Sequence, residues 1–532
     1  MTADTADAVV IGAGPNGLVA ANALADAGWD VIVLEANDEV GGAVRSAEVT
    51  APGFCNDLFS AFYPLAAASP VIRDLDLGRH GLTWRHAPAV LSHTLDDGRA
   101  AVLSRDPDTT AASVDSWAPG DGDAWLAMFD QWRRVRDPLL AALFTPFPPV
   151  ASGLRIVRAL KAAGTLDFAR LAVLPVRRLA EENFSGQGAA LLLTGNAMHA
   201  DVPPDAAGSG IFGWLLTMLG QDVGYPVPEG GAQRFADALA GRARSGGVEI
   251  RTGRRVERVE TSGGRATGVR VRGGEVVHAR RAVLADVDAP SLYRDLVGFE
   301  RLPARMRRAI DRFQWDHATL KLNWALREPV PWTATEARGA GTVHLGVDAD
   351  GFVDFAADLT TGRTPQRPFL LFGQMTTADA TRSPEGTESA WAYTHVPVRS
   401  LDEPGALDKH VDRMTEAVER AAPGFSATVL ARAVQSPASL EAADSNLRGG
   451  AINAGTSAVH QELVFRPVPG LGRPETPVPG LYLAGASAHP GGGVHGACGW
   501  NAARAALATE RSRLGVRRAL LRTAWGRLLP ED

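Results

Sequence analysis

The chain has 532 residues, enough for two or three structural units with a sizeable core, which excludes a small scaffold held together by disulfides or metal. Lys and Arg total 54 against 60 Asp and Glu, a net charge of −6 that offers nucleic acid no global footprint. With 45% hydrophobic and 21% charged residues, the composition argues against wholesale disorder and against an integral membrane protein. Cys55 and Cys498 are too few and too far apart in sequence for a Cys-x-x-Cys redox pair or a four-ligand zinc site, so no metal centre is expected and the compartment reads as reducing. The N-terminal stretch carries acids where a signal peptide would be basic, and no run approaches the roughly 18 apolar residues of a spanning helix. A cytoplasmic protein is expected, with any membrane contact peripheral.

In chain order, Ala8 to Ile11 reads as a strand, Gly12-Ala-Gly14-Pro15-Asn16-Gly17 as a glycine turn, and Leu18 to Ala25 as a helix. In that pattern Gly12 permits the tight turn, Gly14 lets backbone approach a pyrophosphate, and Gly17 lets the helix pack on the strand. Asp30 to Leu34 reads as a second strand closed by Glu35, at about the 20-residue distance where an acid accepts ribose hydroxyls. The fingerprint by itself leaves NAD and FAD both open. A second glycine pair follows, Gly41-Gly42-Ala-Val-Arg45, in which backbone can approach a ligand and Arg45 can serve a phosphate or carboxylate.

Residues 105–223 have helical spacing with a proline-rich break at Phe144 to Val150, and read as a helical lid. Gly224 to Gly231 opens a helix from Gln233 to Ser245, followed by short strands from Val248, Val256 and Thr267. The segment 300–470 alternates as sheet does, for example in Ala318 to Leu326 and Pro368 to Gln374, and predicts an antiparallel substrate sheet. Lys321 alternates with Leu320 and Leu322 and is expected on a solvated strand face. Pro479 to Gly485 reads as a turn and a strand running into His489-Pro-Gly-Gly492-Gly493-Val494-His495, whose three glycines suit backbone passing close to a flat ligand before a helix from Trp500 to Leu507. From Arg511 to Arg527 arginines interleave with Leu514, Val516, Leu520, Leu521 and Trp525, a basic amphipathic pattern that suits either a membrane surface or docking on the protein itself. No second Gly-x-Gly-x-x-Gly stands between a strand and a helix, so a separate NAD(P) domain is not expected.

These motifs resemble the phytoene dehydrogenase-like, or carotenoid desaturase, family of FAD-dependent oxidoreductases, within the glutathione reductase-like FAD superfamily. The resemblance is carried by the Gly12–Gly17 turn, the Gly41–Arg45 segment and His489 to Gly493. Outside the cofactor motifs, Pro52 to Ser60, Trp324 to Trp332, Trp391 to His395 and Phe465-Arg466-Pro467 carry it too. It implies an α/β fold with a Rossmann-type FAD-binding domain assembled from residues 1–104, 224–299 and 471–512. To these it adds the lid at 105–223, the substrate sheet at 300–470 and a basic C-terminal helix at 513–532. FAD is the implied cofactor, contacted by Gly12, Gly14, Pro15, Asn16, Gly17, Glu35, Ala36, Gly41, Gly42, Arg45, Val256, Gly485, Gly492, Gly493 and Val494. Ala486 stands where many flavoproteins place an acid on the ribityl chain, so that contact is left unassigned.

The implied reaction is hydride transfer from a lipophilic or amine-like small molecule to flavin, with oxygen or a quinone as acceptor. His489, His495 and Lys321 are the acid–base candidates, ahead of Asp57, His344, His395 and Arg466. A redox-neutral flavin isomerase of a polyene and a non-catalytic flavoprotein are the alternatives.

Overall fold

Val9-Val10-Ile11 and Val31-Ile32-Val33-Leu34 are apolar runs without a polar break, as strands buried on both faces require. They form β1 (Thr5–Ile11) and β2 (Val31–Leu34), parallel neighbours joined through α1 (Pro15–Asp26). The computed structural model describes residues 4–470, 472–511, 520, 523–525, 527 and 528. The chain continues with β3 (Ala89–Thr94) and β4 (Ala100–Leu103). Next come α2 (Asp121–Leu143), α3 (Val150–Leu171), α4 (Gln187–His199) and α5 (Ser209–Val223), then α6 (Gln233–Ser245). Four strands follow, β5 (Glu249–Arg251), β6 (Val256–Ser262), β7 (Arg265–Val271) and β8 (Val276–Ala285). A later group comprises β9 (Ala318–Leu326), β10 (Ala340–Leu345), β11 (Leu370–Gln374), β12 (Glu388–Val396), α7 (Ala406–Ala421) and β13 (Val429–Gln435). The last elements labelled are β14 (Leu481–Leu483) and α8 (Ala497–Arg511).

Two sheets organise these elements. In the first the order is β6-β7-β8-β1-β2-β5, with β14 on β8; β5, β2, β1, β8 and β14 run parallel, and β7 and β6 continue antiparallel. α1, α6 and α8 cover one face through Leu18, Leu24, Leu239 and Ala502, while Leu292, Met306 and Ile310 cover the other. The second sheet has the order β13-β9-β12-β11-β10-β3-β4, antiparallel except where β3 joins β10. Its outer face packs Leu320, Leu322, Trp324 and Phe372 against Val411, Met414 and Val418 of α7.

One boundary differs from expectation. Residues 89–103 belong to the second sheet, and β5 takes the edge of β2 that they would have needed to extend the first. The C-terminal residues Arg513, Leu514, Val516, Arg517, Arg518, Leu521 and Arg522, on which the basic amphipathic pattern mostly rests, lie outside the described residues. Trp525 and Leu528 pack on the second face of the nucleotide sheet. Among the described residues no helix is long and apolar enough to cross a membrane.

α1 and α8 begin side by side, so both N-terminal ends serve one region. Gly499 makes this possible, since a methyl group there would collide with the backbone carbonyl of Asn16. Gly499→Ala is therefore expected to destabilise the protein by about 1–3 kcal/mol through overpacking. Gly241→Ala, within α6 and facing open space, should stabilise it by roughly 0.5–1 kcal/mol. Urea midpoints of the two variants check the pair; equal shifts of one sign would mean that the helix contact does not matter.

Candidate functional site

The turn after β1 and the residues after β2, β8 and β14 share one end of the parallel sheet, where open α/β folds bind ligands. Gly12 takes φ +92°, and a side chain there would come within 2.7 Å of the Asp286 carbonyl. Glu35 is buried and accepts the amides of Ala13 and Asn37, both at 2.8 Å, which locks the turn after β1 to the end of β2. Burial raises its carboxyl above the usual carboxylate range, against the pull of those two amides. A cavity of about 180 Å³ opens here, lined by Gly12, Gly14, Glu35, Ala36, Gly42 and Val256 among the residues that the sequence nominated. Asp286, Asp444, Arg255 and Arg448 line it as well.

The other nominated residues surround this cavity or stand farther along the turn system. Pro15 begins α1, the amide of Gly41 donates to Ala13, and Gly17 packs on the Gly12 carbonyl. Arg45 donates to the carbonyls of Gly42 at 3.0 Å and Ala443 at 2.8 Å, and lies over the Phe59 ring. It therefore clamps the second glycine pair to the chain beside Asp444.

Behind that pair lies a buried ion cluster. Arg382 pairs with Asp57 and with Asp379, each at 3.0 Å, and none of the three side chains is more than 2% exposed. Asp57 also accepts Ser46 Oγ at 2.7 Å and the Ala232 amide at 2.8 Å, while Asp379 accepts the Gly230 amide at 2.8 Å. Lys321 is not on a solvated face. It is 3% exposed, donates from Nζ to the carbonyls of Asp57 and Phe59, and lies over the Trp391 ring. Burial pulls its ammonium down to about 7, opposed by the charge of Asp57.

The triple-glycine turn stands at the start of α8. Arg466 is buried under it, donating to the carbonyls of Ala486, Thr456 and Asn453 and pairing with Glu462 at 2.8 Å. Gly485 packs on the Val287 backbone and Gly492 on Asn453, while Gly493 and Val494 both have positive φ. His495 uses both ring nitrogens in this turn, Nδ1 accepting the Ala497 amide at 3.0 Å and Nε2–H donating to the Gly491 carbonyl at 3.2 Å. His489 Nε2–H donates to the Thr145 carbonyl of the lid at 3.1 Å. Burial pushes both imidazoles down to about 4, so they are neutral at physiological pH.

The inner face of the second sheet carries a further group of buried polar and aromatic side chains. Register places Thr319 opposite His395, Lys321 opposite Tyr393, and His344 opposite His93. Trp391 stacks on Tyr393, with centroids 5.9 Å apart, and Phe62 from the nucleotide side meets Trp391 at 5.9 Å. His344 is fully buried beneath Gly195 of α4, and neither ring nitrogen has a hydrogen-bond partner. The hydroxyls of Thr319 and Thr342 and Nδ1 of His199 are likewise buried without partners.

Residues 16–507 match the family described as flavin containing amine oxidoreductase. The chain belongs to that family. It is 30% identical to pyridine nucleotide-disulfide oxidoreductase domain-containing protein 2 of Rattus norvegicus, over 93% of this chain and 92% of that protein. It is 28% identical to the zeta-carotene-forming phytoene desaturase of Myxococcus xanthus, over 74% and 73%. Wild-type putrescine oxidase bound to putrescine shares the fold, with a TM-score of 0.61 at 17% identity over 95% of this chain and 99% of that one.

FAD is the cofactor of the family, and the glycine turn, Glu35 and the converging N-termini of α1 and α8 suit a dinucleotide. Sequence reading missed Asp286 and Asp444 in the cleft and the partnership of Asp379 with Arg382. Asp286 carried a usable signal, since it directly follows a strand of the parallel sheet; Arg382 carried none.

Arg382→Met would leave two buried carboxylates without their ion-pair partner. A loss of about 3–5 kcal/mol of stability is expected, together with reduced flavin content, measured by urea unfolding and by absorbance of the purified protein. An unchanged urea midpoint would show that the cluster does not hold its chain segments together energetically.

Proposed function

We propose that this FAD-dependent oxidoreductase removes a hydride from a lipophilic small molecule with one uncharged hydrogen-bonding end, in the first instance an alcohol, and passes the electrons to oxygen or a quinone. The observation that carries this reading is the buried polar layer between the inner sheet face and α4. A buried polar group without a partner costs about 1–3 kcal/mol, and His344, His199, Thr319 and Thr342 present several such groups together. Burial holds His344 well below the ordinary imidazole range and His199 at about 4, so the layer is neutral and suits a hydroxyl or carbonyl better than an ammonium group. Phe62, Trp391 and Tyr393 supply apolar surface beside it.

Bound FAD supplies the hydride-accepting chemistry. Lys321 takes the hydroxyl proton in this reading. As a neutral amine it still donates to the carbonyls of Asp57 and Phe59 while keeping a lone pair free. His489 and His495, committed to backbone, hold the turn and the lid. Desaturation of a polyene is the second reading, favoured by the desaturase relative and by His495, whose two ring nitrogens are both engaged in the turn. Membrane contact through the tail is not proposed, because Trp525 and Leu528 place apolar surface on the protein's own core.

Anaerobic mixing with a long-chain alcohol, its parent hydrocarbon, the matching amine and a polyene tests this, followed at the flavin band near about 450 nm. Bleaching by the alcohol alone is expected. Bleaching by the polyene would favour desaturation, and bleaching by the amine alone would overturn the polar-end reading. Reoxidation by oxygen marks an oxidase, and reoxidation only by a quinone a dehydrogenase. With the alcohol, the reduction rate should rise with pH through about 7 and then level, as Lys321 becomes neutral. Lys321→Met should retain FAD yet lose about 10²–10⁴-fold in that rate and lose the pH step.

A further inference from the structure

Asp286 follows directly after β8, and its carboxyl occupies the N-terminal end of α1. Its Oδ2 accepts the Gly17 amide at 2.7 Å and lies 2.8 Å from where a side chain on Gly14 would begin. This is the end of the helix whose free amides and dipole attract a phosphate, and Asp286 also lines the nucleotide cavity. A carboxylate and a diphosphate at one helix end would be two anions contending for the same donors.

The neighbours offer Asp286 no compensating charge. Glu35 faces it from the end of β2 and Asp444 from the segment that precedes Asn446, both acids acting against its ionisation. Asn446 reaches only its backbone carbonyl, at 3.5 Å. The buried thiol of Cys498 approaches from α8, and Asp288 is tied to Ser291. Arg45 and Arg255 act on Asp444 rather than on Asp286, and Arg448 is engaged with Ser291 and Asp295. Among the described residues no cation pairs with Asp286. Its burial is the main cause that raises the carboxyl, to about 7.

We propose that Asp286 holds the cofactor as a neutral carboxylic acid, one oxygen accepting the Gly17 amide and the other donating its proton to the FAD diphosphate, so that FAD uptake carries one proton into the cleft. The inference rests on FAD being the cofactor of this cleft. No covalent bond to FAD is made or broken; where Asp286 is ionised in the free protein, the proton comes from solvent when FAD binds and returns when FAD leaves. Where Asp286 is already protonated, affinity for FAD is independent of pH. Above that range binding must first protonate it, and affinity falls about tenfold per pH unit.

The test dilutes the flavin-loaded enzyme at a series of pH values from about 6 to about 9 and reads released FAD by its fluorescence, with proton uptake counted in weak buffer. The wild type is expected to hold FAD tightly at the acid end, to weaken by up to about tenfold per unit above pH about 7, and there to take up one proton per FAD bound. Asp286→Asn offers the same acceptor and donor without a titratable proton, and should show a flat profile near the wild type's acid-end affinity. A flat wild-type profile, an Asp286→Asn variant that keeps the slope, or one that folds but cannot hold FAD at any pH overturns the proposal. The wild-type proton count decides if the variant fails to fold. A chain that binds FAD at neither end of the range overturns the cofactor reading, and Asp286 with it.

Discussion

A single guanidinium, Arg382, joins segments from distant parts of the chain. Its partners come from the first nucleotide segment through Asp57 and from the substrate region through Asp379, and those two acids in turn receive the amides of Ala232 and Gly230 at the start of α6. Taking three charges out of water is costly, and hydrophobic replacements often serve stability as well or better. What the ions add is position. Asp57 sets the carbonyls that hold Lys321, and Ser46 on the same carboxylate sets the strand pair beside the second glycine turn. The proposed base and the cofactor segment therefore share one anchor.

A second guanidinium performs the matching task at the far end of the site. Arg466 gathers the carbonyls of Asn453, Thr456 and Ala486, which belong to two chain segments, the second directly after β14. The triple-glycine turn is thereby fixed from below, and His495 and His489 fix it from α8 and from the lid. Imidazoles used this way must stay neutral, because protonation of His495 Nδ1 would break its bond to the Ala497 amide. Their low proton affinity is thus the electrostatic side of a structural role, and it explains why residues of catalytic type in a cofactor turn need not transfer protons.

The glycine turn, the acid after β2, the helix from Gln233 and the existence of a second sheet were all legible in the sequence, because each rests on local spacing. The membership of β3 and β4 was not. Their alternation suits either sheet, and the choice was made by β5, about 150 residues later, occupying the competing edge. Lys321 shows the same limit at the level of one side chain. Alternation correctly placed it opposite Leu320 and Leu322, yet which face meets solvent depends on α4 and on the Asp57 segment covering it. Asp286 was readable only through topology, since the significance of a residue after a strand depends on that strand lying beside β1.

The acids of the nucleotide cleft also link cofactor and stability. Glu35, Asp286 and Asp444 all have carboxyls raised by burial, so the folded chain retains protons that the unfolded chain gives up. Stability from these groups is fully present at acid pH and is lost as pH rises through their folded values, about 7 for Asp286. Near neutral pH these acids therefore contribute less stability than they do at acid pH. Binding of a ligand only to the folded state offsets this by mass action, and three chain segments that meet at the cleft gain together. The cleft is costly to the protein without its ligand because its acids are held out of water.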